Sequence, residues 1–403
     1  MLTGAGVAQL IPVLGSLILA RLYAPAQFGL FSAWLGVVLL LAVVLTGRFE
    51  TALAIELDGE PRRLAVISTL TTVLLVASVS GVVLGIAIGI GVSSKIAVPG
   101  LLIAASLPSA LAIAAAQTWQ SWAAAEGLYR KLSLMRIFQA GSVTALQIGM
   151  GMLNASAENL GIAYLFGVIL SLVFSARLMP LGILPKRNFA ATIRNFWSTH
   201  IRFPLFSLPA DSINTAAAQL PILIVTGKFG AEVGGLLAMA MRTLGAPIGL
   251  LGRSVLDVFK RQAATSFRER GECRRDYIQT FWVLALGSLI FCSVMIFCSE
   301  PLFATAFGER WRGAGTIAVW LLPLFALRFI ASPLSYMVYI AGKQHLDLGW
   351  QIVLLGMTIA SLNIPQRYNH ALQLYSAGYT MLYMAYIAMS YRFSLGTRND
   401  SNR

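Results

Sequence analysis

A helix needs about twenty apolar residues to cross a bilayer, and apolar blocks of that length follow one another along almost the whole chain. The first two are 4–22 and 28–46, joined by a short link with Pro25. A polar loop, 48–63, leads to spans 64–91 and 98–125. After a charged turn at 126–131 come 134–153, a polar turn at 154–159, and 160–179. A basic, polar stretch then interrupts the pattern from Lys186 to Arg202. Apolar blocks resume at 204–229, 233–257, 277–299, 313–340, 348–364 and 372–391. Between Phe259 and Asp276 the residues are strongly charged, which predicts a helix lying at the membrane surface. The pattern predicts an all-α polytopic membrane protein with about twelve transmembrane helices, because lipid leaves only helices and closed barrels as spanning structures.

Basic residues set an orientation. With the amino end cytoplasmic, 22 Lys and Arg fall in cytoplasmic segments against 6 on the other side, and Arg242 and Arg328 remain within spans. The positive-inside bias then puts both termini in the cytoplasm. A faint internal repeat agrees with the even count. Gln9-Leu-Ile-Pro12 with Arg21 and Phe28-Gly29 is echoed by Gln219-Leu-Pro221 with Lys228 and Val233-Gly234. Six helices per half, both starting inside, predict two six-helix bundles related by a pseudo-two-fold axis along the membrane normal. The domains are then 1–179, a basic cytoplasmic connector 180–203, a second bundle 204–391, and a cytoplasmic tail 392–403.

Composition narrows the class. Of 403 residues 57% are hydrophobic and only 11% charged, and mean hydropathy is +0.75. Soluble domains carry about 25% charged residues. The excess of 30 Lys and Arg over 16 Asp and Glu is read as loops facing anionic lipid. No basic patch sits on a soluble module, so nucleic acid is not a partner. Cys273, Cys292 and Cys298 have no metal-ligand spacing. There is no phosphate-binding Gly-x-x-x-x-Gly-Lys-Ser/Thr run and no His-Glu-x-x-His, and His200, His345 and His370 all fall in loops. No cofactor, metal or catalytic residue is therefore assigned. The densest acidic cluster, Glu56-Leu-Asp58-Gly-Glu60, reads as a solvated turn.

Ionisable groups inside apolar spans are the informative ones, since each is costly at the bilayer centre unless it faces a polar interior. Arg242 and Arg328 lie deep and are expected to face a cavity. Arg48 and Glu50, at the end of the second span, fit either a cavity or the interface, and Asp257 fits the interface. Asp211 has Asn214 one turn on, on the same helix face. It is either an ion-pair partner of Arg242 or a proton- or cation-binding group. Gln9, Gln117, Gln120, Gln139, Gln147 and Gln219 serve by default as interhelical glue, and some could line a path for a sugar. Pro12, Pro108, Pro209, Pro221, Pro247, Pro323 and Pro333 lie within spans and allow kinks.

Several of these stretches resemble the polysaccharide (O-antigen and capsule) flippases of the multidrug/oligosaccharidyl-lipid/polysaccharide exporter superfamily. They are Gln9 with Ala20-Arg21-Leu-Tyr-Ala-Pro25-Ala-Gln-Phe28-Gly29; Arg48-Phe-Glu50-Thr-Ala-Leu-Ala; Arg202-Phe-Pro204; Gln219-Leu-Pro221; Ala306-Phe-Gly308-Glu309-Arg-Trp311-Arg-Gly-Ala314-Gly315; and Arg328-Phe-Ile-Ala-Ser-Pro333-Leu-Ser. Beside that family's usual start, a short amino-terminal lead-in looks trimmed. The resemblance implies translocation of an undecaprenyl-diphosphate-linked oligosaccharide from the cytoplasmic to the periplasmic leaflet of a bacterial inner membrane, by cation-coupled alternating access. It implies cavity positions at Arg48, Glu50, Arg242 and Arg328, to which Gln219 is added, with Asp211 and Asn214 as coupling or ion-pair groups. Membrane lipids, and the polymerase and glycosyltransferases of the same pathway, are the implied partners. Two other functions compete with this one. A drug–cation antiporter of the same superfamily would favour acidic cavity residues. A membrane glycosyltransferase or polymerase would need room outside for a catalytic domain, and the outside loops are short.

Overall fold

The computed structural model describes residues 2–89, 98–182 and 189–396. Lys95, Lys186, Arg187, Arg398 and Arg403, counted above for orientation, lie outside the described residues, as does the side chain of Arg253. The described chain is helical, and twelve of its helices have twenty residues or more. Among the described residues, seven segments are long and apolar enough to cross a membrane. The all-α polytopic fold is thus borne out. Contacts divide the chain into two compact units, Met1–Gly227 and Lys228–Arg403.

The first unit contains α1 (Leu2–Leu22), α2 (Pro25–Thr46), α3 (Glu60–Gly89), α4 (Gly100–Ala125), α5 (Tyr129–Leu153), α6 (Ala157–Leu178) and the short α7 (Phe189–Thr199), and it runs through most of α8 (Leu208–Phe229). Local signals set the ends. Pro25 occupies the first turn of α2, where its missing N–H costs nothing. Ser156 caps α6 by accepting from the Asn159 N–H at 3.2 Å. Polar groups inside the spans bond between helices. The Trp34 indole donates to the Leu102 carbonyl at 2.7 Å. Tyr23 donates to the Gln147 carbonyl at 2.9 Å, and the Gln147 amide donates to the Leu160 carbonyl at 3.3 Å. Gln147 is glue, as expected of a buried amide among apolar helices.

Two backbones approach closely where α5 meets α6. A Cβ on Gly167 would stand 2.6 Å from Val143 Cα, so any side chain must force the two backbones apart. Gly167→Ala is expected to destabilise the protein by about 1–3 kcal/mol, the usual cost of overpacking. Gly149→Ala on α5, where a Cβ would meet nothing within 4 Å, is the control and should melt like wild type in detergent.

The second unit holds α9 (Ala231–Arg270), α10 (Arg274–Phe307), α11 (Arg312–Leu334), the single-turn α12 (Met337–Ile340), α13 (Gln344–Asn363) and α14 (Tyr368–Ser394). Two expectations change here. The charged stretch expected to be a separate surface helix is the continuation of α9, which runs unbroken for 40 residues. The reason is in the sequence: no Gly or Pro interrupts the stretch from Arg253 to Arg270. Phe259 and Ala263, on one face, are fully buried with Tyr277, Leu334 and Met337. The helix stops only at Gly271, whose φ of 72° is left-handed. The span read as 313–340 is likewise broken into α11 and α12 by a turn just after Pro333. Lys228 closes the end of α13 by donating to the carbonyl of Pro365 at 2.8 Å and to that of Asn363, a cation at a helix C-terminus.

Candidate functional site

The second apolar helix ends in an unusual way. Gly47 and Arg48 are both left-handed, with φ of 54° and 60°. Arg48 is the one non-glycine residue with positive φ among the described residues. Such a backbone costs on the order of 1 kcal/mol or more, and local bonds hold it there. The Arg48 N–H donates to Thr46 Oγ1 at 3.2 Å, and the Thr51 hydroxyl donates to the Arg48 carbonyl at 2.6 Å. The reversal sends the chain into a 3-10 turn, Phe49–Ala54, and points Arg48 at two carboxylates. Its Nη1 donates to Glu50 Oε1 at 2.7 Å. Its Nε lies 2.7 Å from Asp211 Oδ2, contributed by the first turn of α8.

This brings together three of the residues expected to matter. Glu50 is 4% exposed, Arg48 a quarter exposed and Asp211 over a third. Of the two earlier alternatives for Glu50, interface or interior, its burial favours the interior. Burial pushes its carboxyl above the usual carboxylate range; Arg48 and the Thr46 hydroxyl pull it back down only in part. Asp211 pairs with Arg48, far from it in sequence. Asn214 is exposed on the same helix. Gln219 packs its side chain over Gly36 of α2, where a Cβ would sit 3.1 Å away.

A second set of contacts holds this turn in place, and the sequence reading missed it. From sequence, Arg62 reads only as a basic loop residue. It is 4% exposed; its Nε donates to the Leu53 carbonyl at 2.9 Å and its Nη2 to the Glu56 carbonyl at 2.7 Å. Its Nη1 pairs with Asp58 and stands 3.4 Å from Glu126. The acidic cluster is therefore only partly a solvated turn. Asp58 is largely exposed, but Glu56 Oε1 meets His200 Nε2 at 2.5 Å. His200 is buried at the end of α7, where the Phe196 ring packs tilted against Phe49 at 5.4 Å and Trp197 donates to Thr72 Oγ1 at 2.8 Å.

In the second unit Arg242 is half-buried on α9, and Arg328 is half-buried on α11. The Arg328 guanidinium lies over the Phe325 ring at 5.9 Å and makes no ion pair among the described residues. It is within electrostatic reach of Tyr375, Tyr379 and Tyr383 on α14. Those rings follow one another at 4.5 and 6.1 Å, and Tyr379 shares a 2.6 Å hydrogen bond with Thr358. The sequence signal was available in the spacing of four between the tyrosines, which places them on one helix face. No cluster of three or more His, Cys, Asp or Glu capable of holding a metal occurs among the described residues.

Known proteins agree with this picture at the level of family and fold. Over 160 residues the chain is 22% identical to the teichuronic acid biosynthesis protein TuaB of Bacillus subtilis (strain 168); the match takes in 39% of this chain and 33% of that relative's length. Among solved structures, the lipid II flippase MurJ in its inward closed conformation superposes with a TM-score of 0.73 at 12% identity, over 96% of this chain and 86% of that one. An inward-facing multidrug resistance MATE family transporter of the MOP superfamily gives 0.69 at 14% identity, over 96% and 94%. At such identities the likeness speaks for the fold. It is the fold of those two transporters, as the sequence resemblance implied, in a multi-pass membrane protein. The sequence also matches the family described as "Polysaccharide biosynthesis protein" over residues 18–315, well over half its length, and the chain belongs to that family.

Proposed function

We propose that the protein is a transporter that flips an undecaprenyl-diphosphate-linked oligosaccharide from the cytoplasmic to the periplasmic leaflet of a bacterial inner membrane, for surface polysaccharide assembly. The observation that carries this reading is Arg328. It is a half-buried guanidinium with no carboxylate partner among the described residues, set beside three tyrosines on one face of α14. A guanidinium matches phosphate oxygens with two parallel donors. Aromatic rings beside it suit the apolar faces of a sugar. Arg242 adds a second cation in the same unit, and Arg48 one in the first.

In this reading the bundles 1–179 and 204–391, repeated about an axis along the membrane normal, provide the two arrangements of an alternating-access cycle, with both termini in the cytoplasm. A cation gradient drives it, exchanged at Glu50 and Asp211 with Asn214 nearby. Gln219 contributes a neutral donor to the path, and the polymerase and glycosyltransferases of the pathway act before and after the transfer. The drug–cation antiporter alternative is less well supported, because the deep charges in the second unit are arginines.

The test is reconstitution of the protein in vesicles with a labelled polyprenyl-diphosphate oligosaccharide in one leaflet. The expected result is label reaching the opposite leaflet with its sugar length unchanged. A longer sugar would mean a polymerase; movement of a small organic cation without the labelled lipid would mean the antiporter.

A further inference from the structure

The second unit carries a groove outside the candidate site. Between α10 and α14, over α11, runs an apolar groove of about 500 Å³ lined by Tyr277, Phe281, Trp282, Leu327, Met384 and Tyr391. Lining residues 277–282 and 384–391 span about two helical turns each, roughly 10 Å of length. The groove is fixed at one end. The Cys273 N–H donates to the Ser394 carbonyl at 2.9 Å. Tyr277 donates through its hydroxyl to the Ile387 carbonyl at 2.9 Å, and its ring packs tilted against that of Tyr391 at 5.7 Å. Because those bonds tie the start of α10 to the end of α14, they also bring Arg274, Arg275 and Arg392 to that same end. All three are exposed and make no ion pair among the described residues. Of the carboxylates nearby, Asp276 is 3.7 Å from Arg270 and Glu272 is exposed.

An apolar slot about two turns long that ends in three unneutralised guanidinium groups has the chemistry of one kind of ligand. We propose that it seats an anionic phospholipid of the bilayer, with the upper part of one acyl chain in the groove and the phosphate on Arg274, Arg275 and Arg392. Charge complementarity selects the headgroup, since Lys and Arg near a membrane surface attract anionic lipid. Tyr and Trp at the headgroup level are suited to the same boundary. The lining residues of the groove and its three arginines are distinct from Arg48, Arg242 and Arg328, the cations of the proposed transport path. The inference rests on the membrane fold alone and stands whether or not the flipping reading does.

Native mass spectrometry of the detergent-purified protein tests it, with phosphatidylglycerol and phosphatidylcholine offered at equal concentration. The wild type should retain phosphatidylglycerol several-fold over phosphatidylcholine. Both the charge variant R274A/R275A/R392A and the groove-filling variant Ala388→Trp should lose that preference, while each melts within a few degrees of wild type; all four positions are exposed, so folding should survive. Should the triple variant melt early, Arg392→Gln alone must still halve the retained phosphatidylglycerol. Equal retention of the two lipids by wild type, full retention of phosphatidylglycerol by both variants, or its displacement by an equimolar polyprenyl phosphate would each overturn the proposal.

Discussion

Replacing Arg62 with alanine is expected to destabilise the protein by about 3–5 kcal/mol, the usual cost of removing one partner from a buried charged network. The side chain is 4% exposed, and Leu53, whose carbonyl it holds, is fully buried and has no water to turn to. Its loss would strand the carbonyls of Leu53 and Glu56, 2.9 and 2.7 Å from its nitrogens, and would leave Glu126, 3.4 Å away, without its cation. Asp58 loses little, being 86% exposed. Arg62→Lys keeps the charge but not the fork, so it should recover about half the loss. Thermal melting of the purified protein reads the effect. Limited proteolysis should cut first near residues 53–58, because that turn is what Arg62 holds. A variant that melts like wild type would mean that the carbonyls find other donors.

Arg62 also shows where reading the sequence stops. Apolar blocks are a one-dimensional signal, since a helix surrounded by lipid must be apolar around its circumference. All twelve helices of twenty residues or more could therefore be read directly, and most of their ends fell within a few residues. What the blocks do not carry is the behaviour of polar residues just beyond them. The charged stretch after Asp257 looked like a separate surface helix because charge usually ends a span. Helix propensity does not end there, so α9 continues until Gly271 supplies a left-handed stop. Arg62, Glu56 and His200 looked like loop residues for the same reason. Tertiary packing buries them: α7 lies against the turn and excludes water from it.

The candidate site divides along the same line. Arg48 and Glu50 are two residues apart, and their pairing is legible from that spacing. Asp211 had two possible roles at the sequence level, and Arg48 could not be named as its partner, because nothing local links the end of α2 to the start of α8. The Arg328 surroundings were missed differently. Each tyrosine on α14 is unremarkable in a membrane helix, and only the fold brings the set to one arginine.

The second large effect concerns the clasp on Arg48. If its guanidinium takes up a phosphate oxygen of the substrate during the cycle, the phosphate must displace Glu50 or Asp211, which now hold it at 2.7 Å each. Arg48→Ala should then lower leaflet transfer by about ten- to a hundredfold, from the loss of a charge-assisted bond of about 1.5–3 kcal/mol. It should also destabilise the fold, because Glu50 would remain buried beside Asp211 with no cation. The triple variant R48A/E50Q/D211N separates the two effects: it removes the stranded charges, so stability should return while transfer stays low. The pH dependence has a definite sign. Burial raises the Glu50 carboxyl above its unfolded value. As pH falls through that raised value the folded state takes up the proton first, so Glu50 adds stability on acidification, and the gain is complete once pH is below the unfolded value. Glu50→Gln cannot titrate, so its stability relative to wild type should be greater at about pH 8 than at about pH 5. Full transfer by the triple variant would assign Arg48 to the scaffold alone and leave Arg242 and Arg328 as the cations that meet the diphosphate.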